Sequence, residues 1–343
     1  MNMSDRIKFS TSTEQLKEGL FGQVFLYVFE ILPYLDSQGI LPAWAIRSTL
    51  YGMPKDYVVI PGLLEMNYET DAGNYREVNL QDLRDRHAVT LGSDWDYNAG
   101  LWNKYFRWPQ RVIRRAAEFP ALHGALGIHY RGTDKNTSLK ETNYVSPENF
   151  LTLVRDFIGT HRDVETIYVA TDEDAFVDKV RAQHPSLRVI YSGAVTHHKS
   201  GAVEDNFAKG DHALLDCWLL SRCRYLIKCQ SALSGFAKIL NPKLEAYRVS
   251  ANILWSWGLP YFPDAYIPKL ESQNPECQKI LAALQAGDWT EDKTAMKKFG
   301  GQFRYKPRKG YIRKERGVPK WSFDGLQQRF DLRLARLVRR LGN

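Results

Sequence analysis

The feature of this sequence that most constrains its fold is a regular alternation of strand-like and helix-like segments between residues 125 and 249. Apolar runs rich in β-branched residues alternate with segments whose apolar residues recur at helical spacing. The strand-like runs are 125–129, 165–170, 187–192, 225–229 and 246–249, and the helix-like segments are 147–158, 174–183, 211–222 and 232–240. Because strands joined by helices pair in parallel, the pattern predicts an α/β fold with a parallel sheet covered on both faces.

The first 120 residues show a less regular α/β pattern. The predicted elements there are strands at 7–11, 40–46 and 57–60 and helices at 19–36 and 108–119. The chain has 343 residues, a length that is too great for one compact core and fits two domains of ordinary size. Hydrophobic residues make up 44% of it, enough to fill such cores. We therefore predict an N-terminal α/β domain at 1–120, a Rossmann-like domain at 121–290 and a basic C-terminal extension at 291–343.

The net charge of +8 is concentrated in the C-terminal extension, where 16 Lys and Arg residues stand against 5 Asp and Glu. Phe323–Leu341 has apolar and arginine residues on separate faces of a predicted amphipathic helix. Such a helix can dock back onto its own protein or bind an anionic membrane surface. It can also contact nucleic acid, but because the chain carries no recognised nucleic-acid module we expect no such partner.

No stretch of the sequence is apolar enough over about 18 residues to predict a membrane-spanning helix. Leu20–Leu35 comes closest, but Gly22, Gln23, Glu30 and Pro33 interrupt it. The first residues also lack the apolar core of a signal peptide. We expect a cytoplasmic protein, with the tail as a means of peripheral attachment to the inner face of the cytoplasmic membrane.

Three of the predicted strands end in polar clusters, namely His129–Lys135, Thr171–Glu173 and Cys229–Ser234. The carboxyl ends of parallel strands meet at one edge of the sheet, where ligands of α/β proteins bind. We therefore expect these groups, which are distant in sequence, to converge on one crevice.

The chemistry of these clusters suits a diphosphate. Arg131 can grip a phosphate with two hydrogen bonds and Lys135 adds a point charge. Ser231 opens a helix, whose first N–H groups bind anions. Fixed cations and amides can stabilise a departing diphosphate, so we expect neither a metal nor a cofactor.

The same residues carry a family resemblance. Gly127–Lys135 is similar to the His-x-Arg-x-Thr-Asp-Lys motif of eukaryotic α1,6-fucosyltransferases and, more loosely, to the rhizobial nodulation fucosyltransferases. Further similar segments follow in the same order, covering about a third of the chain. They are Val145–Phe150, Ile167–Asp172 with its Ala-Thr-Asp ending, Leu215-Asp216 and Leu226–Ser234.

The resemblance implies a GT-B-like fold, in which two Rossmann-like domains face a central cleft and the C-terminal one binds the donor. It implies inverting transfer of fucose from GDP-fucose to a hydroxyl of a glycan or glycolipid acceptor. It also implies roles for single residues. By resemblance, His129 and Asp216 contact guanine, Arg131 and Ser231 hold the β-phosphate, Asp134, Lys135 and Asp172 shape the donor pocket, and Gly22 lies in an N-terminal Gly-rich turn.

The chain departs from the family pattern at three points. Gly132 stands where the family often has a second arginine, and Glu173 stands where it has a second aspartate. The loop after Lys135 is longer, so the catalytic base has no exact counterpart and Glu141 is the nearest candidate. These departures leave two alternatives open: a transferase that uses another nucleotide sugar, and a non-catalytic nucleotide- or glycan-binding protein.

Each candidate also has an ordinary structural interpretation. Arg131 can be an ion-pair residue, His129 a satisfied strand-end histidine, and Asp172, Glu173 and Ser231 can cap helices. An aromatic cluster can stack on acceptor sugars or, as we prefer, pack in the core. Its members are Trp95, Tyr97, Trp102, Tyr105 and Trp108.

Overall fold

The structure, a computed structural model, describes residues 7–10, 19–52, 56–70, 75–89, 91–132, 145–193, 206–249 and 262–270. Three predicted site residues, Asp134, Lys135 and Glu141, lie outside these ranges. The basic extension 291–343, with its predicted helix, lies outside them as well.

The N-terminal half contains a four-stranded sheet with the order β3-β2-β1-β5. Strand β1 pairs in parallel with β2 and β5, and β3 pairs antiparallel with β2. A short π-helical turn, Leu20–Phe25, leads from β1 into α1. The elements are β1 Ile7–Ser10, α1 Leu26–Ser37, β2 Ala43–Arg47, β3 Val58–Ile60, β4 Glu65–Met66, β5 Arg76–Asn79, α2 Leu80–His87, α3 Trp95–Tyr105, β6 Phe106–Arg107 and α4 Gln110–Ala116.

The second half contains a six-stranded, all-parallel sheet with the order β12-β11-β10-β7-β8-β9. The α/β prediction is confirmed, because strand and helix alternate along this half. The elements are β7 Leu126–Tyr130, α5 Pro147–Thr160, β8 Thr166–Thr171, α6 Asp174–Gln183, β9 Arg188–Tyr191, α7 Asn206–Arg222, β10 Tyr225–Lys228, α8 Ala232–Leu240, β11 Glu245–Val249 and β12 Lys269–Leu270.

Three helices differ from the sequence prediction, and α2 was not predicted at all. Helix α7 begins at Asn206, one turn before the predicted start at Asp211. Gly210 lowers the helix propensity of this turn, but it lets the helix approach the N-terminal half, because an added Cβ would lie 2.6 Å from Leu63 Cδ2. Helix α3 was not predicted, since its aromatic residues and a glycine mask the helical period. Its start is fixed by Asp94, whose side chain accepts from a backbone N–H of the first turn.

One apolar core runs through both halves. It joins α1 and α3 to α7 and α8, and a second cluster fills the opposite face of the parallel sheet under α5 and α6. Phe236 of α8 is the centre of an aromatic contact between the halves. Its ring centroid lies 5.2–5.9 Å from the rings of Phe21, Phe25, Phe29 and Trp102.

Each described helix is short or carries several charged residues, and the longest, α7, has 17 residues. The most apolar of the long ones, α1, has 12 residues and contains Pro33. Within the described ranges, no helix combines the length and the apolar character needed to cross a bilayer.

Candidate binding site at the carboxyl edge of the parallel sheet

The polar clusters predicted to converge follow three strands that are immediate neighbours, in the order β10-β7-β8. In the strand register, His129 of β7 lies between Lys228 of β10 and Ala170 of β8. The segments beginning at Arg131, Asp172 and Cys229 therefore leave the sheet at the same edge. This brings the sequence-distant groups to one place.

His129 is buried and is held by helix α8. Its Nδ1 atom lies 2.6 Å from Ser234 Oγ, so the two groups share a hydrogen bond. Burial, together with the positive charges of Arg131 and Lys228, holds the pKa of His129 well below its usual range. The imidazole is therefore neutral near pH 7, and Ser234 fixes the ring orientation.

Asp172 fixes the backbone that follows β7. Its Oδ1 atom accepts a 2.9 Å hydrogen bond from the Gly132 backbone N–H, and its Oδ2 atom lies 3.8 Å from Arg131 Nε. Asp172 therefore organises the Arg131–Gly132 turn, and its carboxylate contributes to orienting the guanidinium. The Arg131 side chain retains 20% exposure, which leaves part of it accessible to a ligand.

The two positions that depart from the family pattern, Gly132 and Glu173, are in contact: the Glu173 side chain fills the space that a side chain at position 132 would need. A Cβ added to Gly132 would overlap the Glu173 carboxylate. Glu173 is the N-cap residue of α6, but its side chain makes no capping hydrogen bond. The side chain lies instead on the Gly132 α-carbon, so a larger residue at 132 and this glutamate position exclude each other.

Asp216 lies at the centre of a polar network under β8 and β9. Its Oδ1 atom accepts 2.7 Å hydrogen bonds from Tyr168 Oη and Ser192 Oγ, and His212 Nε2 lies 3.7 Å away. Burial raises the pKa of Asp216, and the nearby His212, Ser192 and Tyr168 lower it in part. The hydrogen bonds to Oδ1 fix the orientation of the Asp216 carboxylate, so its Oδ2 atom also points in a defined direction.

Ser231 precedes α8 and is buried, but its side chain makes no capping hydrogen bond to the helix. The N-terminal half meets the helix at this point. A Cβ added to Gly22 would lie 3.9 Å from Ala232 Cβ. The turn that contains Gly22 therefore faces the start of α8, next to Ser231.

The sequence did not single out the ion pair between Lys228 and Asp264, in which both side chains are fully buried. Lys228 ends β10 beside His129, and Asp264 comes from a 3₁₀ turn before β12. A lysine in an apolar strand is a signal, because a buried ammonium needs a partner. Its partner is 36 residues away in sequence, and only the folded topology identifies it.

The sequence contains two Asp-x-Asp triplets, Asp94–Asp96 and Asp172–Asp174, a pattern that often holds the metal ion in metal-dependent glycosyltransferases. They run against the expectation of a metal-free site. In the structure Asp94 caps α3, Asp172 holds the Gly132 backbone and Asp174 accepts from Tyr191 Oη at 2.8 Å. Among the residues that the structure describes, no group of three or more His, Cys, Asp or Glu side chains is arranged to hold a metal ion.

The aromatic cluster after β5 packs mainly in the core, as preferred from the sequence. Trp102 and Tyr105 are almost completely buried and Trp108 is 6% exposed. Tyr97 is the exception, with 47% of its surface exposed. Stacking on an acceptor sugar is thus open to Tyr97 but not to Trp102 or Tyr105.

Comparison with known proteins gives structural likenesses only. No protein-family model matches the chain, and no curated protein matches its sequence. The structure is similar to the solved fucosyltransferase NodZ from Bradyrhizobium, with a TM-score of 0.43 and 15% identity over 70% of this chain and 95% of that chain. It is also similar to POFUT1 in complex with GDP, with a TM-score of 0.41 and 10% identity over 72% and 98% of the two chains.

A third similar structure is a variant of Arabidopsis thaliana FUT1 in complex with GDP. The TM-score is 0.42 and the identity is 8%, over 71% of this chain and 70% of that chain. All three are solved fucosyltransferases. At these identities the likeness concerns the fold, and residue roles must come from the geometry of the site.

Proposed function

We propose that this chain is an inverting glycosyltransferase that transfers fucose from GDP-fucose to a hydroxyl of a glycan or glycolipid. In this proposal the fold is GT-B-like, with an acceptor-side domain at 1–120 facing a donor domain at 121–290. GDP-fucose is a substrate, and the protein needs no resident cofactor or metal.

The observation that carries the proposal is that His129, Arg131, Asp172 and Ser231 lie at the carboxyl ends of three neighbouring strands. Arg131 and the N–H groups at the start of α8 are suited to a β-phosphate. The oriented carboxylate of Asp216 can accept hydrogen bonds from the N1 and N2 groups of guanine, with neutral His129 nearby. We assign Asp134, Lys135 and Gly22 to the walls of the same pocket.

The proposed reaction is a single displacement at the anomeric carbon. The acceptor hydroxyl attacks C1 of the sugar as the bond from C1 to the β-phosphate oxygen breaks. A carboxylate, assigned to Glu141, takes the hydroxyl proton, and GDP leaves with the bonding electron pair. Arg131, Lys135 and the amides of α8 stabilise the charge that grows on the diphosphate.

The acceptor can be a lipid-linked surface saccharide. The basic amphipathic segment Phe323–Leu341 supports this part of the proposal, because such helices bind anionic lipid surfaces. In this view the protein is cytoplasmic and attaches peripherally to the inner face of the membrane. Sedimentation with vesicles of phosphatidylglycerol, against vesicles of phosphatidylcholine, tests this attachment, and equal sedimentation contradicts it.

Titration calorimetry tests the donor assignment. The titrants are GDP-fucose, GDP-mannose, a UDP-sugar and an ADP-sugar, each with and without EDTA. We expect tight binding of GDP-fucose that is unaffected by the chelator. Tighter binding of another nucleotide sugar would identify that sugar nucleotide as the donor in place of GDP-fucose. Loss of binding in EDTA would contradict the metal-free mechanism.

One observation favours a second candidate, a protein that binds a nucleotide or glycan without turnover. Glu173 occupies the space beside Gly132 where the resembling family often has a second arginine, so the charge beside Arg131 is less positive. A binding protein would hold GDP-fucose without releasing GDP in the presence of any acceptor. Slow donor hydrolysis with release of free fucose would exclude this candidate.

A further inference from the structure

Lys209, in the second turn of α7, is a charged residue that the proposed mechanism does not use. The side chain is buried, with 5% of the residue surface exposed. In the described part of the chain, its ammonium makes no hydrogen bond. Among the described residues, it lies over the ring of Tyr51, 5.0 Å from the centroid. A buried ammonium without a hydrogen-bond partner is rare and points to a ligand or a bound ion.

A second buried polar atom without a partner lies one turn earlier on the same helix. Asn206 Nδ2 donates to Thr49 O at 2.8 Å, which fixes the amide, while Asn206 Oδ1 makes no hydrogen bond. Residues three apart on a helix are neighbours on its surface. An acceptor site and a cationic donor site are therefore adjacent, next to the Tyr51 ring.

The position of this pair links it to the candidate binding site. Lys209, His212 and Asp216 follow each other at helical spacing along one face of α7. Lys209 lies roughly 10 Å along the helix axis from Asp216, toward the turn at 48–52 that follows β2 of the N-terminal half. The pair thus lies where the two halves meet, about two turns along α7 from Asp216, the proposed guanine contact.

We propose that Lys209 and Asn206 form a subsite for an anionic group on the acceptor sugar, a carboxylate or a phosphate. This inference rests on the proposed function and specifies its acceptor class. The anion accepts hydrogen bonds from Lys209 Nζ, and a neighbouring sugar hydroxyl donates to Asn206 Oδ1. Such a ligand satisfies both atoms at once.

Charge favours an anionic sugar over a neutral one. The ammonium has lost most of its water, and burial lowers the pKa of Lys209 from its ordinary value. The nearest described carboxylate in sequence, Asp211, already pairs with Arg111 and Arg115. A neutral sugar would satisfy the hydrogen bonds but would leave the buried charge unbalanced.

The test uses the full chain and three probes, methyl β-glucuronide, methyl β-glucoside and inorganic phosphate, measured by calorimetry or ligand-observed NMR with and without GDP. We expect the glucuronide to bind at least about tenfold more tightly than the glucoside, since a charge-assisted hydrogen bond is lost with the neutral sugar. Phosphate binding in place of glucuronide binding would identify a phosphate-bearing acceptor. Equal binding of glucuronide and glucoside, or binding of none of the probes, would overturn the inference.

Lys209→Met is expected to remove glucuronide binding while GDP affinity stays unchanged. Lys179→Met is the matched control, because Lys179 is a half-exposed lysine paired with Glu148 on the outer helices, and it should alter neither. If wild-type protein binds GDP but no anionic probe, the subsite fails and the donor site stands. If it binds the glucuronide but not GDP, the proposed function fails instead.

Asn206→Asp covers the case in which Lys209→Met does not fold. It places a carboxylate one turn from Lys209, where an internal ion pair should displace the ligand. We expect loss of glucuronide binding, and glucuronide binding rather than Tm is the readout, because the aspartate also loses the hydrogen bond to Thr49 O. Unchanged glucuronide binding in Asn206→Asp would contradict the subsite.

Discussion

Arg131 is the residue on which the proposed phosphate contact depends most directly. Its guanidinium lies near Asp172 and remains partly exposed at the sheet edge. We expect Arg131→Ala to lower donor turnover by about 100- to 1000-fold, as for the loss of one group that stabilises the departing charge. Steady-state release of GDP measures the effect.

A suitable control for that change is Arg155→Ala, which removes an arginine from the exposed outer face of α5. Both variants should keep the far-ultraviolet circular dichroism of the parent. A folded Arg131→Ala protein with normal turnover would remove Arg131 from the mechanism.

The neutral state of His129 makes stability depend on pH. The pKa of this histidine lies below its ordinary 6.5 in the folded protein, so the unfolded chain binds the extra proton first as pH falls. Its contribution to stability is complete above about pH 6.5 and is lost as pH falls toward the folded pKa, at up to about 1.4 kcal/mol per pH unit.

His129→Asn keeps a hydrogen-bonding group near Ser234 but does not titrate in this range. Urea unfolding from about pH 7.5 down to about pH 5 should therefore show a shallower loss of stability in this variant than in the parent. Parallel pH profiles of the two proteins would show that His129 titrates normally in the folded state.

The contact between Gly132 and Glu173 predicts a coupled pair. Gly132→Ala forces the Glu173 carboxylate to move, which disturbs the turn that holds Arg131 and should weaken GDP binding. Glu173→Ala opens the space, so the double variant should bind GDP more tightly than Gly132→Ala alone. Calorimetry on the four proteins gives the coupling, and additive effects would contradict the structure at this turn.

At the scale of elements, the Lys228–Asp264 ion pair ties the end of β10 to the turn before β12. An added Cβ on Gly235 of α8 would lie 2.7 Å from Pro263 Cγ and 2.9 Å from Asp264 Oδ1, so the turn lies directly on the helix. Removing Asp264 leaves a buried ammonium with no counter-charge. We expect Asp264→Ala to lower the free energy of unfolding by about 3–5 kcal/mol.

The double variant Lys228→Met/Asp264→Ala should lose clearly less stability than the two single losses together, because neither charge is then left unpaired. Urea unfolding of the four proteins measures this difference. Strict additivity would show that the two side chains do not pair.

The strands and helices of the second half could be predicted from sequence because the spacing of apolar residues and the positions of turn residues indicate the same element boundaries there. Helix α6 was predicted with both ends as observed, Asp174–Gln183. The sequence prediction missed α2, α3 and the start of α7. The aromatic residues of α3 mask its helical period, and the start of α7 packs against the N-terminal half. The convergence of His129, Arg131, Asp172 and Ser231 followed from strand order alone, but the partners of Asp216 and Lys228 required the folded topology.

At the scale of the whole molecule, one apolar core joins the N-terminal half to α7 and α8. Elements that share a core unfold together. We therefore expect a single urea transition, with coincident curves from tryptophan fluorescence and circular dichroism. Two separated transitions would indicate that each half has an independent core and would favour the predicted boundary at residues 120–121.

Phe236 has a consequence for how the protein meets its ligand. The helix whose first turn is proposed to receive the phosphate belongs to the second half, but its middle is packed among aromatic rings of the first. That helix cannot shift alone without breaking those contacts. The first turn of α8 is therefore preorganised, and in the proposed function a bound nucleotide loses little affinity to ordering the protein around it.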